Sequence, residues 1–369
     1  MPKKARAAVV PEPNADLEIR EYEIPELVSG SALLKVANVG VCGTDVHLWH
    51  GKLSGVPYPL ILGHEVVGTI AEVGPTEVTN IDGDTIKKGD RVVFHDVTKT
   101  CYSCWHCLIA KNPTKCPNRE VYGITRNPEK WPHLLGGYAE YVYLTPGTHI
   151  VKLPNHVSFD GASALGCAMP TAVHTVNRSP MKFGKNVVVQ GAGPVGLMIT
   201  ILASISGAST IVSIDQAENR LKLAKKFGAT HTLDLSATSL EERIQFTRNV
   251  TQDHGPDIVY EATGNPLAIR EGILLVREGG AYSICGQYTD GGDVEINPHL
   301  MNRKHLDVRT VWGSETKHLY EAIRVLSSHY DRFPFEELVT HTFSLDEAQE
   351  ALETQERRES VKAVIKPWD

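Results

Sequence analysis

The chain has 369 residues, 41% of them hydrophobic and 22% charged, with a formal net charge of −7. That length exceeds one ordinary core, so two domains are expected, and the composition is that of a soluble α/β protein, neither disordered nor fibrous. The acidic balance without a long basic run argues against nucleic acid as a partner, and the longest apolar run, Val195 to Ser206, falls short of the ~20 residues of a membrane span.

In chain order, the apolar part of MPKKARAAVV stops at Pro11-Glu12, too short for the apolar segment of a secretory signal, and predicts a first strand. Short Val-rich runs cut by Gly and Pro follow: ALLKVANVGV, VVGTIAEVG, DRVVFHDV and YAEYVYL. Their alternation predicts an antiparallel, partly barrel-like β domain over the first 155 residues or so. From Lys185 the texture changes to strands alternating with helices. NVVVQ leads into a helix from Pro194 to about Ile205; TIVSI precedes the helix AENRLKLAKKF, closed by Gly228. THTL, the helix SLEERIQFTRNV, DIVY, LAIREGILLV, AYSICG and DVRTV continue the pattern. Regular βα alternation predicts a parallel, doubly wound sheet. After Trp312-Gly313, two helical segments and the strand VKAVIKP are expected to rejoin the first domain. The expected division is 1–165 with 314–369, and 166–313.

Strand NVVVQ runs straight into Gly191-Ala192-Gly193-Pro194-Val195-Gly196, and Asp215 follows at the end of the next strand. Alone, this glycine pattern is a weak signal, but strand before, helix after and the distant acid form the dinucleotide-binding context. Gly191 permits the tight turn, Gly193 lets backbone approach a pyrophosphate, and Gly196 lets helix pack on strand. Free N–H groups at the helix start, with Pro194 and Val195 in its first turn, favour the phosphates. Asp215 can accept the hydrogen bonds of an adenosine ribose and repel a 2′-phosphate, which favours NAD over NADP. Arg220, five residues on, is placed to lie along the adenosine.

Seven cysteines occur, at 42, 101, 104, 107, 116, 167 and 285. The odd count, the bunching of four and the missing export signal argue against disulfides and for a reducing cytoplasm. Cys101, Cys104, Cys107 and Cys116 match a closed tetrahedral zinc site, which leaves no position for substrate and so holds shape. Cys42, His64 and Cys167 are singly unremarkable; together they are the donor set of an open, catalytic zinc. Asp45 is suited to orient His64, and Glu65 to sit beneath the metal and at times ligate it.

The order CGTD, GHE, CxxCxxCx8C, Cys167, GAGPVG and Asp215 resembles the zinc-dependent alcohol dehydrogenases of the medium-chain dehydrogenase/reductase family, over essentially the whole chain. The resemblance implies a GroES-like catalytic domain holding both zincs, with a Rossmann domain inserted before the last segment. It assigns Thr44 and His47 to a proton relay, Thr171 and Val195 to the space behind the nicotinamide, and Cys285, Gln287 and Val311 to its surroundings. Trp49, Leu53, Val97, Tyr138, Gln287 and Trp312 become candidate pocket walls. Lys99, Arg126 and His133 lie in the loop-rich part, where they could meet a polar head group or simply be solvated.

Three departures stand out. The cysteine loop has eight residues where seven are common. Gly43 replaces a residue that is basic in some relatives, leaving Lys362 as the nearby charge offered to the pyrophosphate. The segment TEVTNIDGDTIKKGDRV is longer than usual.

The implied activity is hydride transfer between a small alcohol, acidified as its alkoxide on zinc, and NAD, or the reverse from a carbonyl. Two alternatives accompany it: a non-catalytic scaffold or cofactor-binding protein of the same fold, and a zinc-free reductase of conjugated double bonds. A homodimer or homotetramer, joined through edge strands around 281–311, is implied as well.

Overall fold

A computed structural model describes residues 3–369. The chain divides into two compact units: Met1–Cys167 with Glu315–Tyr330 and Phe335–Asp369, and Ala168–Ser314 with Asp331–Pro334. The division differs from the expected one at Asp331–Pro334 and at two borders, where Gly166 and Cys167 fall in the first unit and Ser314 in the second. Phe333 sets its ring edge-on to Phe227, 6.3 Å between centroids, and Arg332 Nη2 donates to Ser204 Oγ at 3.2 Å, which ties this short segment to the second unit.

The first unit is mostly antiparallel. Its strands are β1 (Lys4–Val10), β2 (Glu18–Glu23), β3 (Ala32–Val41), β4 (Leu60–Ile61), β5 (Glu65–Val73), β6 (Arg91–Phe94), β7 (Val97–Lys99), β8 (Glu120–Val121), β9 (Tyr141–Leu144) and β10 (Ile150–Lys152), joined by Val339–Phe343 and Lys362–Ile365. β3 is the hub, pairing with β5, β9 and Lys362–Ile365, and its near-continuous burial explains a run apolar on both faces. Its register against β5 slips twice, between Leu33 and Leu34 and between Val36 and Asn38. Gly68 makes the second irregularity possible, because a Cβ there would stand 2.2 Å from the Lys35 carbonyl oxygen.

Besides the helices Thr316–Ser328 and Ala348–Glu356 of its last segments, this unit has two short ones: α1 (Gly43–Trp49), directly after β3, and α2 (Trp105–Leu108), inside the cysteine cluster. The strand-rich reading did not anticipate α1. The long insertion forms a tight turn in which Asn80 Oδ1 accepts from the amides of Asp82 (3.0 Å) and Asp84 (2.7 Å).

The second unit is the parallel sheet: β11 (Asn186–Gln190), β12 (Thr210–Asp215), β13 (His231–Asp234), β14 (Ile258–Glu261), β15 (Ala281–Ile284) and β16 (Asp307–Thr310). Spatial order is β13-β12-β11-β14-β15-β16, so the winding reverses between β11 and β14. Its helices are α3 (Ala168–Arg178), α4 (Pro194–Ile205), α5 (Glu218–Lys226), α6 (Leu240–Asn249), α7 (Pro266–Leu275) and α8 (Pro298–Arg303). Val188, Val212, Val259 and Tyr282, one from each of four neighbouring strands, form the middle of its core. α3 and α8 lie where the sequence pattern gave no helix. No helix among the described residues is long and apolar enough to cross a membrane.

Candidate metal centres and cofactor site

Within the first unit, Cys42 follows β3 and caps α1, while His64 immediately precedes β5 and Glu65 opens it. Cys167 arrives from a loop pressed against them: a Cβ on Gly166 would lie 2.3 Å from the Glu65 Cα, so only glycine lets that loop close in. The ligand atoms of Cys42, His64, Glu65 and Cys167 all lie within 4.8 Å of one another. Asp45, on the first turn of α1, is fully buried behind them. Its Oδ2 accepts from Cys42 N at 2.8 Å, and its Oδ1 stands 3.3 Å from His64 Nδ1. With Nδ1 turned to that carboxylate, Nε2 is the nitrogen left for an ion.

The electrostatics suit a cation. Burial works against a charged His64, but Asp45 and the two thiols outweigh it and raise its pKa. The Cys42 thiol is lowered, chiefly by a hydrogen bond from Cys167, which in turn is raised, chiefly by the same bond. The opposite shifts of the two sulfurs come from their hydrogen bond to each other, and a divalent ion would satisfy both as thiolates.

Glu65 is buried with Lys362, and their side chains form an ion pair beneath the cluster. Gly40 makes the room, since a Cβ there would meet Glu65 Oε2 at 2.2 Å and Lys362 Cε at 2.6 Å. Burial pushes the Glu65 carboxyl up to about 7, against the opposing pull of Lys362. The Lys362 ammonium is thus engaged by Glu65 in the first unit, a role different from the pyrophosphate charge expected of it.

Thr44 Oγ1 lies 3.8 Å from Cys42 Sγ, and His47 is half-buried in the last turn of α1. Burial, with Lys52 adding to it, lowers the His47 pKa below its usual 6.5.

The second cluster is local. Cys104 and Cys107 sulfurs stand 3.5 Å apart, Cys101 and Cys116 sulfurs 3.6 Å apart, and all four lie within 4.8 Å of one another. A tetrahedron with ~2.3 Å zinc–sulfur bonds has edges of about 3.8 Å, so the four thiols fit a closed zinc site. Ser103 holds Cys101 down to about 5, while burial and Cys104 push Cys107 up to about 12.

In the second unit the glycine turn is built as its sequence demands. Gly191 has φ +92°, and a Cβ on Gly196 would fall 1.8 Å from the Gly191 carbonyl oxygen. At Gly193, α4's N-cap, the nearest atom to an added Cβ is Arg220 Nη1 at 3.9 Å, so a cradle lies open beside a cation. Asp215 Oδ2 accepts from Ala192 N (2.7 Å) and Oδ1 from Ala217 N (2.9 Å), holding the acid at the turn's edge. Cys285 is a buried strand-end residue whose Sγ donates to the Glu261 carbonyl at 3.2 Å. Gln287 Nε2 is buried with no partner among the described residues, a donor awaiting an acceptor. Thr171 lies on α3 and Val195 on α4.

Several candidates prove to be occupied. Tyr138 is fully buried behind Gly63, so it is no accessible pocket wall. Trp49 is anchored by its indole N–H to the Ala15 carbonyl at 2.8 Å. Arg126 and Lys99 pair with Glu120, and His133 Nδ1 is bonded to the Pro128 carbonyl at 2.8 Å. Gly166, Gly40 and Glu261 were missed; the acid ending the apolar strand of DIVYEATG was the available signal for the last.

The fold and these clusters define a zinc-type nicotinamide oxidoreductase. Residues 28–155 match the alcohol dehydrogenase GroES-like domain, and residues 194–328 match the zinc-binding dehydrogenase domain. The chain is similar to 5-exo-hydroxycamphor dehydrogenase of Pseudomonas putida, 35% identical over 98% of either chain. Among solved structures it resembles an alcohol dehydrogenase of Thermotoga maritima, 37% identical with TM-score 0.93, covering 98% of this chain and 99% of that one. It also resembles a zinc-binding dehydrogenase of Sinorhizobium meliloti bound to NADP, 27% identical with TM-score 0.86, covering 99% and 100%.

The chain belongs to the zinc-dependent alcohol dehydrogenases of the medium-chain dehydrogenase/reductase family. It is an oxidoreductase that moves hydride between an alcohol and a nicotinamide cofactor, and the scaffold alternative is set aside by these relatives.

Proposed function

We propose that the chain oxidises a secondary alcohol to its ketone, or the reverse, with NAD as partner, and that it holds two zinc ions of different kind. The observation that carries this reading is the convergence of Cys42, His64 and Cys167 within 4.8 Å. These three would hold the catalytic ion, and Cys101, Cys104, Cys107 and Cys116 the structural one.

A bound zinc supplies Lewis acidity that lowers the pKa of an alcohol hydroxyl, and the nicotinamide accepts the hydride. The chain's own residues do the rest. Asp45 fixes the His64 ring, Thr44 Oγ1 takes the hydroxyl proton as it gives up its own, and His47, as a neutral base, accepts a proton at the end of the relay and passes it to solvent. Gly193 and the first turn of α4 receive the pyrophosphate, and Asp215 the adenosine ribose. The Asp215 carboxylate supports NAD over NADP, although one structural neighbour is bound to NADP. A bulky secondary alcohol is favoured because the Pseudomonas relative is a hydroxycamphor dehydrogenase. A homodimer or homotetramer joined along β16 is supported by that strand's place at the sheet edge and the exposure of Asp307, Val308 and Thr310.

Two experiments test the reading. A screen of primary, secondary and polyhydric alcohols, followed by NADH absorbance, should give its highest kcat/KM with cyclic secondary alcohols; no turnover of any would refute it. Asp215→Gly should shift the NAD-to-NADP ratio of kcat/KM by about tenfold toward NADP, roughly 1.4 kcal/mol. An unchanged ratio would remove the ribose role.

A further inference from the structure

We propose that Glu261 is a positioning residue of the cofactor site, its carboxylate clamping together the loops that follow β14 and β15. This deepens the nucleotide reading and rests on it.

Glu261 is the last residue of β14 and is completely buried. Its Oε1 accepts from Thr263 N at 2.7 Å, Thr263 Oγ1 at 2.8 Å and Gly264 N at 2.8 Å. Its Oε2 accepts from Gly286 N at 3.1 Å, across in the loop after β15. The backbone carbonyl of the same residue takes Cys285 N at 3.0 Å, Cys285 Sγ at 3.2 Å and, shared with Oε2, Gly286 N at 3.1 Å. One residue therefore gathers donors from both loops.

The packing around it leaves no slack. A Cβ on Gly286 would lie 2.5 Å from Gly264 N and 2.6 Å from Glu261 Oε1, so the two loops touch backbone to backbone. The first loop also abuts the glycine turn: a Cβ on Gly191 would meet Thr263 Cγ2 at 2.9 Å and the Ala262 carbonyl oxygen at 3.0 Å. The carboxylate thus sits under three adjoining loops, after β11, β14 and β15. Winding reverses between β11 and β14, and ligands of open α/β sheets bind outside the carboxyl ends of the strands at that reversal. Gln287, whose Nε2 is buried and unmatched, follows directly on the clamped Gly286.

Here each oxygen serves as an acceptor, and an amide cannot repeat the pattern. Glu261→Gln can keep the bonds to Thr263 and Gly264 through its carbonyl, but its NH2 then faces the Gly286 N–H, donor against donor. The loop carrying Cys285 and Gln287 loses its side-chain tie at Gly286 and is loosened there, while its bonds to the Glu261 backbone carbonyl and the loop after β14 stay.

The test is NADH binding to full-length protein, read by the fluorescence of the bound dinucleotide, alongside steady-state kinetics. Glu261→Gln should raise the NADH Kd and the KM for NAD about tenfold, with kcat at saturating NAD within about threefold of wild type. Thr263→Val removes the hydroxyl that donates to Glu261 and accepts from Asn265 N, and should weaken NADH binding about threefold; it decides the matter if the first variant does not fold. Binding within twofold of wild type by a folded Glu261→Gln protein, or by Thr263→Val in its place, overturns the proposal alone. Wild type that fails to bind NADH at all overturns the nucleotide reading, and the proposal with it.

Discussion

The two cysteine-bearing sites of the first unit use the same element of chemistry, a cysteine sulfur near its neighbours, in opposite settings. Cys101 to Cys116 span sixteen positions of one loop, beside side chains such as Trp105 that are 63% exposed. Cys42, His64 and Cys167 come from three distant parts of the chain, and His64 is only 2% exposed. The local site has four sulfurs and no vacancy. The assembled one brings two sulfurs, an imidazole and the Glu65 carboxylate together, with the buried Asp45 and Lys362 against them, and on the proposed reading its donors are the first three. A closed site can only tie chain together; an open one, with its donors oriented from behind, leaves a position at which chemistry can occur.

Breaking each site should therefore break a different property. The largest effect is expected at Cys167. Changing Cys167→Ser should lower turnover about a thousandfold, some 4 kcal/mol of barrier, with the circular dichroism spectrum unchanged. Retained turnover would take Cys167 out of the donor set.

A smaller effect sharpens the same contrast through proton release. Burial holds the His47 pKa below 6.5, so the neutral, proton-accepting form persists to lower pH than an exposed histidine allows. Activity should be lost only as pH falls through that lowered value, and His47→Gln should abolish this acid limb at a cost of about tenfold in rate. An acid limb above pH 6.5, or one that survives the substitution, would contradict the relay. The smallest effect on chemistry belongs to the lobe. Cys104→Ser should lower the thermal midpoint by several degrees while turnover per folded molecule stays within about twofold. Selective loss of hydride transfer from a stable protein would reverse the assignment of the two sites.

Legibility in the sequence follows the same divide. The lobe cysteines and the glycine turn are local, so spacing alone declares them, and the strand–turn–helix around Gly191 formed where the pattern placed it. The assembled site was legible through its residue types, but what supports it was not. Gly166 and Gly40 matter because other backbone or side chains come within 2.3 Å of where a Cβ would sit, a fact of tertiary packing that no local pattern carries. Lys362 lies 297 positions from Glu65, and only the pairing of Lys362–Ile365 with β3 brings the two together. The same holds for Asp331–Pro334, whose unit is decided by Phe227 and Ser204. α1 escaped notice because seven residues are too few for a helical period to show.

The most direct test of the two-site account is zinc stoichiometry combined with graded chelation of purified protein. Two zincs per chain are expected, and withdrawal of the first should silence the enzyme while its unfolding midpoint barely moves. Full activity in a folded chain that carries one zinc, held by the Cys101–Cys116 lobe, would contradict it.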